Sequence, residues 1–195
     1  MTRTVTSTER ALAALRELIL HGQFAAGARL GEVELAPNRG ARVASWSMAE
    51  LEGVFDLRSA LEPRLTGYAV PRARPDDLAV LDELAVQMLA VGLPGPDQDL
   101  DALVPLNRQF HGRLVVIADQ PALATALAGA IHAPIQLRNF HAYDEASLRR
   151  SLAHHVEIVA AIRAGDPTWA QAVMTAHIHN ARAVMLRAAR EQEDR

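Results

Sequence analysis

Three histidines and one asparagine stand where the surrounding pattern asks for aliphatic side chains. Over residues 99–118 the apolar positions Leu100, Leu103, Val104, Leu114, Val115 and Ala118 share one helical face, and Asn107 and His111 lie in the same line. Being four residues apart, these two stack on one side of a helix. Over 147–164 the stripe Leu148, Leu152, Val159, Ile162 takes in His155. In the last helical segment Ala170, Val173, Met174, Ala181, Val184 and Met185 take in His177. His179 lies about 200° round the helix from His177 and faces elsewhere. His154 falls on a flank. A single inward His is ordinarily a core residue satisfied by its neighbours, whereas leaving one unsatisfied costs about 1–3 kcal/mol. Three on converging faces, with an amide oxygen beside the first, form an N/O donor set suited to a divalent ion such as Zn²⁺, Ni²⁺ or Mn²⁺. The chain has no cysteine, so a metal site must be built from imidazole and oxygen, and disulfides and thiolate centres are excluded.

The segments that carry these residues read as helices. Ser7 and Glu9 open an amphipathic stretch that Gly22 stops. Ser47 caps a helix from Met48 to about Val70, with Leu51, Val54, Phe55, Leu57, Ala60 and Leu61 on its inward side. Pro75 starts the next, with Leu78, Leu81, Leu84, Ala85, Met88 and Leu89 inward. Asp97 or Asp99 caps a helix to about Ala118. Pro121 opens one to about Phe140, kinked at Pro134. Ser147 precedes a helix to Ala164, and the Gly165–Pro167 turn leads into a last helix to about Ala189. Six helices from residue 47 onward with short connections predict an antiparallel bundle. The only strand-like stretch is 37–45, PNRGARVAS, which reads as a short hairpin.

Of 195 residues, half are apolar, 4% aromatic and 22% charged, the profile of a folded domain rather than a disordered tail. No apolar run approaches the roughly 18 residues of a membrane span, and the charged N-terminus does not read as a secretory signal, so a cytoplasmic location is expected. Every basic residue is Arg. Residues 1–45 carry six Arg against four Glu, net +2, while the rest carries net −5. A mildly basic head on an acidic body permits nucleic-acid contact at the head.

Several stretches resemble the FCD domain, the ligand-binding half of the FadR subfamily of GntR transcription regulators. They are NRQFHGRLV at 107–115, HHVEIVAAIRAGDP at 154–167, AVMTAHIHNA at 172–181 and DLRSALEP at 56–63. LRELILHGQFAAGARLGEVELA at 15–36 and PNRGARV at 37–43 resemble parts of the GntR winged helix and its wing. The resemblance implies a partial winged helix-turn-helix over residues 1–45 and a six-helix FCD bundle over 46–195. It further implies a homodimer on operator DNA, a divalent metal on Asn107, His111, His155 and His177, and a small carboxylate effector. Arg39 and Gly40, at the wing tip, are then the DNA contacts. Arg58 is a candidate carboxylate clamp, since a guanidinium matches a carboxylate bidentately, although an i,i+4 ion pair with Glu62 accounts for it equally well. Arg138 is a second candidate clamp.

Two departures stand out. The resembled family most often has Asp where this chain has Asn107, which removes one negative charge from the donor set. LGEVELA also runs straight into PNRGARV, with no room for the recognition helix that base reading requires. A stand-alone metal- and metabolite-binding module is the alternative if that head is inactive. A metal-dependent hydrolase is the weaker one. The motif offers no inward Glu or Asp as general base, and there is no Ser–His–Asp set, phosphate loop or dinucleotide fingerprint, so the chain is expected not to be an enzyme.

Overall fold

Ser47 opens the first helix with a reciprocal cap: its hydroxyl accepts from Glu50 N at 3.3 Å, and the Glu50 carboxylate accepts from Ser47 N at 2.9 Å. The computed structural model describes residues 47–131 and 140–193. Helix α1 spans Met48–Ala69 and passes through a 3₁₀ turn, Val70–Arg72, into α2, Pro75–Gly92. Asp99 then caps α3, Leu100–Ala118, accepting from Asp101 N at 3.1 Å and Ala102 N at 2.9 Å. Helix α4 is Pro121–Ile131, a second 3₁₀ turn is Phe140–Ala142, α5 is Glu145–Arg163 and α6 is Pro167–Glu193. Six α-helices and no strand among the described residues bear out the mostly α bundle. The winged-helix segment, the 37–45 hairpin with Arg39 and Gly40, the Pro134 kink and Arg138 all lie outside the described residues.

Local signals explain most boundaries. Gly165 takes φ 71°, the left-handed conformation that closes α5, and Asp166 then caps α6 by accepting from Thr168 N and Trp169 N, both at 2.9 Å. Three expectations are corrected. Helix α5 starts at Glu145, ahead of Ser147 rather than after it, because the Asp144 carboxylate accepts from Ser147 N at 2.7 Å and places Ser147 inside the first turn. Helix α4 ends its described part at Ile131, and Phe140 belongs to a separate turn. Helix α6 runs to Glu193, past Ala189, through Arg, Glu and Gln residues of high helix propensity.

The inward face of α1 also differs. Leu57 and Ala60 are exposed, while Glu62 and Thr66 are buried beside Phe55, Leu65 and Ala69. The face runs through positions 51, 55, 58, 62, 65 and 69, the true 3.6-residue period, on which two polar side chains fall. Helix α1 packs on α3, α4 and α6; α2 packs on α3 and α5; α5 packs on α6. A Cβ at Gly67 would overlap the Gln171 side chain, so α1 and α6 approach closely there. Phe55, Phe110, Leu152, Met174 and Ile178 are among the fully buried side chains that fill the space between these helices.

Candidate metal centre

Helix α3 presents Asn107 and His111 one turn apart, α5 presents His155, and α6 presents His177. Bundle packing brings all four together. One nitrogen from each of His111, His155 and His177 lies within 4.8 Å of the others. The ring centroids are 4.6 Å apart for His155 and His177, 5.1 Å for His111 and His177, and 5.6 Å for His111 and His155. Asn107 Oδ1 is 3.0 Å from His155 Nε2. Phe110, not singled out from the sequence, sets its ring edge-on to His155 at 4.9 Å and to His111 at 5.9 Å, an apolar wall against which both imidazoles rest.

Burial acts strongly on these rings. It pushes His155 and His177 well below the usual imidazole range, and each is lowered further by neighbouring imidazoles. Both are therefore neutral at pH 7, the form that ligates a metal. Nδ1 of His177 and Nε2 of His111 are buried with no hydrogen-bond partner. His154, placed on a flank by its spacing, is half-buried, with its ring 5.9 Å from that of His177. His179 is exposed, as its position requires.

Glu62, on α1 and outside the histidine motifs, brings an inward carboxylate to the site that those motifs do not contain. It is buried, and its two oxygens are taken by different partners: Oε1 accepts from Arg58 Nε at 2.6 Å, and Oε2 is 3.0 Å from His111 Nδ1. Burial alone would raise the carboxyl pKa, but the Arg58 guanidinium and His111 outweigh it and hold the group at about 2. A carboxylate with both oxygens engaged is not a free general base, so it restores no hydrolytic reading. The ion-pair account of Arg58 is thereby realised. The same guanidinium lies over the Phe55 ring at 5.3 Å, and its charge is felt by His177 and by the half-buried Tyr143, whose hydroxyl desolvation pushes up to about 12. Glu62 was legible in outline, because it stands four residues from Arg58 on the 55–58–62–65 face. An apolar count passes over it in favour of Leu57.

The donor set fits a divalent cation. Two donors each about 2.1 Å from one tetrahedral ion lie about 3.4 Å apart, so imidazole nitrogens within 4.8 Å of one another close by up to about 1.4 Å to share it. The orphaned, buried nitrogens and the neutral rings are what such an ion requires.

Residues 53–180 match the FCD domain family. This chain belongs to that family. The match covers the bundle and bears out the resemblance to GntR-type regulators carrying an FCD domain. A Mycobacterium gastri protein named as an HTH-type transcriptional regulator, RmpR, is 29% identical over 141 residues, which make up 69% of this chain and 47% of that protein. The chain therefore spans about half the length of this curated relative. Among solved structures, E. coli McbR/YncC superposes with a TM-score of 0.74 at 19% identity, covering 93% of this chain and 98% of that one. Streptococcus agalactiae GntR superposes with a TM-score of 0.54 at 23% identity, covering 90% and 98%. These two share the fold of the FCD chain. The Mycobacterium gastri relative is named as a transcriptional regulator, in agreement with the expectation that the chain is not an enzyme.

Proposed function

We propose that this FCD chain is the sensing part of a metabolite-responsive, DNA-binding transcription regulator. Its bundle holds a divalent cation on His111, His155 and His177, with the Asn107 amide oxygen as fourth donor, and receives a small organic acid. The observation that carries this reading is the convergence of three imidazoles from three helices, with nitrogens buried and unpartnered between them. When bound, the cation supplies a Lewis-acidic point of attachment for a carboxylate. Because Asn107 is neutral where a carboxylate is usual, the donor set leaves the ion's charge uncancelled and favours an anionic ligand. Arg58 flanks the site with Nε occupied by Glu62 and its Nη groups in no described hydrogen bond, so it can receive the acid's oxygens. Dimerisation and operator binding through the segment before residue 46 belong to the same proposal, as do Arg39 and Gly40 at the wing and Arg138 as a second clamp. Acid binding alters DNA affinity only by favouring one arrangement of the heads.

The test is thermal unfolding of chelator-treated protein, first with Zn²⁺, Ni²⁺ or Mn²⁺ alone and then with a panel of organic acids added. A ligand at a hundredfold excess over its Kd stabilises by about 2.7 kcal/mol, a shift of several degrees for a chain of this size. The expected outcome is stabilisation by metal and a further, metal-dependent stabilisation by at least one acid. An unfolding curve indifferent to every metal overturns the reading.

A further inference from the structure

Glu62 is buried and charged, yet it points at no solvent and donates to nothing. Its two oxygens reach two different functional side chains: Arg58 through Nε at 2.6 Å and His111 through Nδ1 at 3.0 Å. An ionised carboxylate is an acceptor only. The ring nitrogen facing it must therefore carry the proton. For a neutral imidazole that leaves Nε2 with a bare lone pair, and Nε2 of His111 is the nitrogen found buried without a partner. The same logic applies to Arg58. A guanidinium held through Nε keeps its plane and turns its Nη edge away from the anchoring oxygen.

We propose that Glu62 is the positioning residue of the site. It locks His111 in the Nδ1–H tautomer so that Nε2 faces His155 and His177, and it holds Arg58 by Nε so that the Nη edge is offered to an anion. One carboxylate thus orients both the metal-binding imidazole and the anion-binding guanidinium. The role of each rests on the metal- and acid-binding reading above, whereas the tautomer does not. Carboxylate partners of ligating imidazoles act in this way by fixing ring orientation and raising basicity, and their loss lowers metal affinity about 10- to 100-fold.

Long-range ¹H–¹⁵N NMR of the metal-free full chain at about pH 8, with His111 assigned by a His111→Gln variant, reads the tautomer directly. The expected spectrum shows His111 protonated on Nδ1 and bare on Nε2. In Glu62→Ala the ring shifts toward the Nε2–H form, and Zn²⁺ affinity measured calorimetrically falls about 10- to 100-fold. A wild-type His111 protonated on Nε2 overturns the proposal whether or not the protein binds metal. A wild-type Nδ1–H ring in a chain that ignores Zn²⁺ upholds the tautomer that Glu62 fixes and overturns the metal reading, and with it the positioning of a metal ligand. If Glu62→Ala does not fold, the wild-type spectrum still decides the tautomer. Glu62→Asp, which draws the carboxylate back by one methylene, then supplies the affinity measurement, and unchanged Zn²⁺ binding in a variant whose ring has changed tautomer also overturns the proposal.

Discussion

On the α1 side of the histidine cluster Glu62 is 5% exposed and charged, with each oxygen held by a partner; on the α5–α6 side His177 is 4% exposed and neutral, and its Nδ1 meets nothing. Equal burial has opposite consequences. A charge taken out of water survives only if its partners replace the solvent, and both oxygens of the Glu62 carboxylate are satisfied within the fold. A neutral imidazole loses less on burial and can be left with an unspent lone pair. The carboxylate holds geometry, and the imidazoles keep binding capacity in reserve.

That difference predicts unequal costs of deletion. Glu62→Ala strands the Arg58 charge in a largely buried position and should destabilise the metal-free protein by about 3 kcal/mol, read from urea unfolding after chelation. His177→Leu removes an unsatisfied polar atom and fills the same space, so in the metal-free protein it should cost less than about 1 kcal/mol, while abolishing metal-induced stabilisation. Equal losses in the two variants would erase the distinction.

Acidification separates the two sides by pH. Folded His155 and His177 lie well below the ordinary value of 6.5, so below that value the unfolded chain binds more protons than the folded one. Their contribution is complete above about pH 6.5 and is lost as pH falls beneath it, by up to about 1.4 kcal/mol per pH unit for each ring. Glu62 is held at about 2 against an ordinary 4.5, so its contribution is complete above 4.5 and disappears as pH falls toward 2. Metal-free protein unfolded by urea across this range should lose stability in two successive stages, the imidazole stage first. The smallest effect belongs to a residue away from the histidine cluster. Asp99→Ala removes the α3 cap and should cost about 1 kcal/mol with metal affinity unchanged.

Much of the bundle was legible in the sequence, because caps and stripes act within a few residues. Ser47, Pro75, Asp99 and the Gly165 turn all sit where their local chemistry places them. The start of α5 falls before Ser147 because Asp144, three residues earlier, caps the helix by accepting the Ser147 N–H. Leu57 is apolar but falls off the 3.6-residue period of the inward face, so it stays exposed. Asn107, His111, His155 and His177 stood out because each interrupts an apolar stripe. Phe110 did not, since a buried aromatic beside a histidine is unremarkable until the ring contacts are known.

The sequence by itself determined which way each imidazole faces on its own helix, since that direction follows from the 3.6-residue period and the neighbours one turn away. Only the tertiary structure decided that the three rings meet, and that Glu62 on α1 takes His111 on α3 as well as Arg58 on its own helix. Those distances depend on how far one helix slides and turns against another, which is set by the summed packing of side chains such as Phe55, Phe110 and Met174. No single local pattern carries that information.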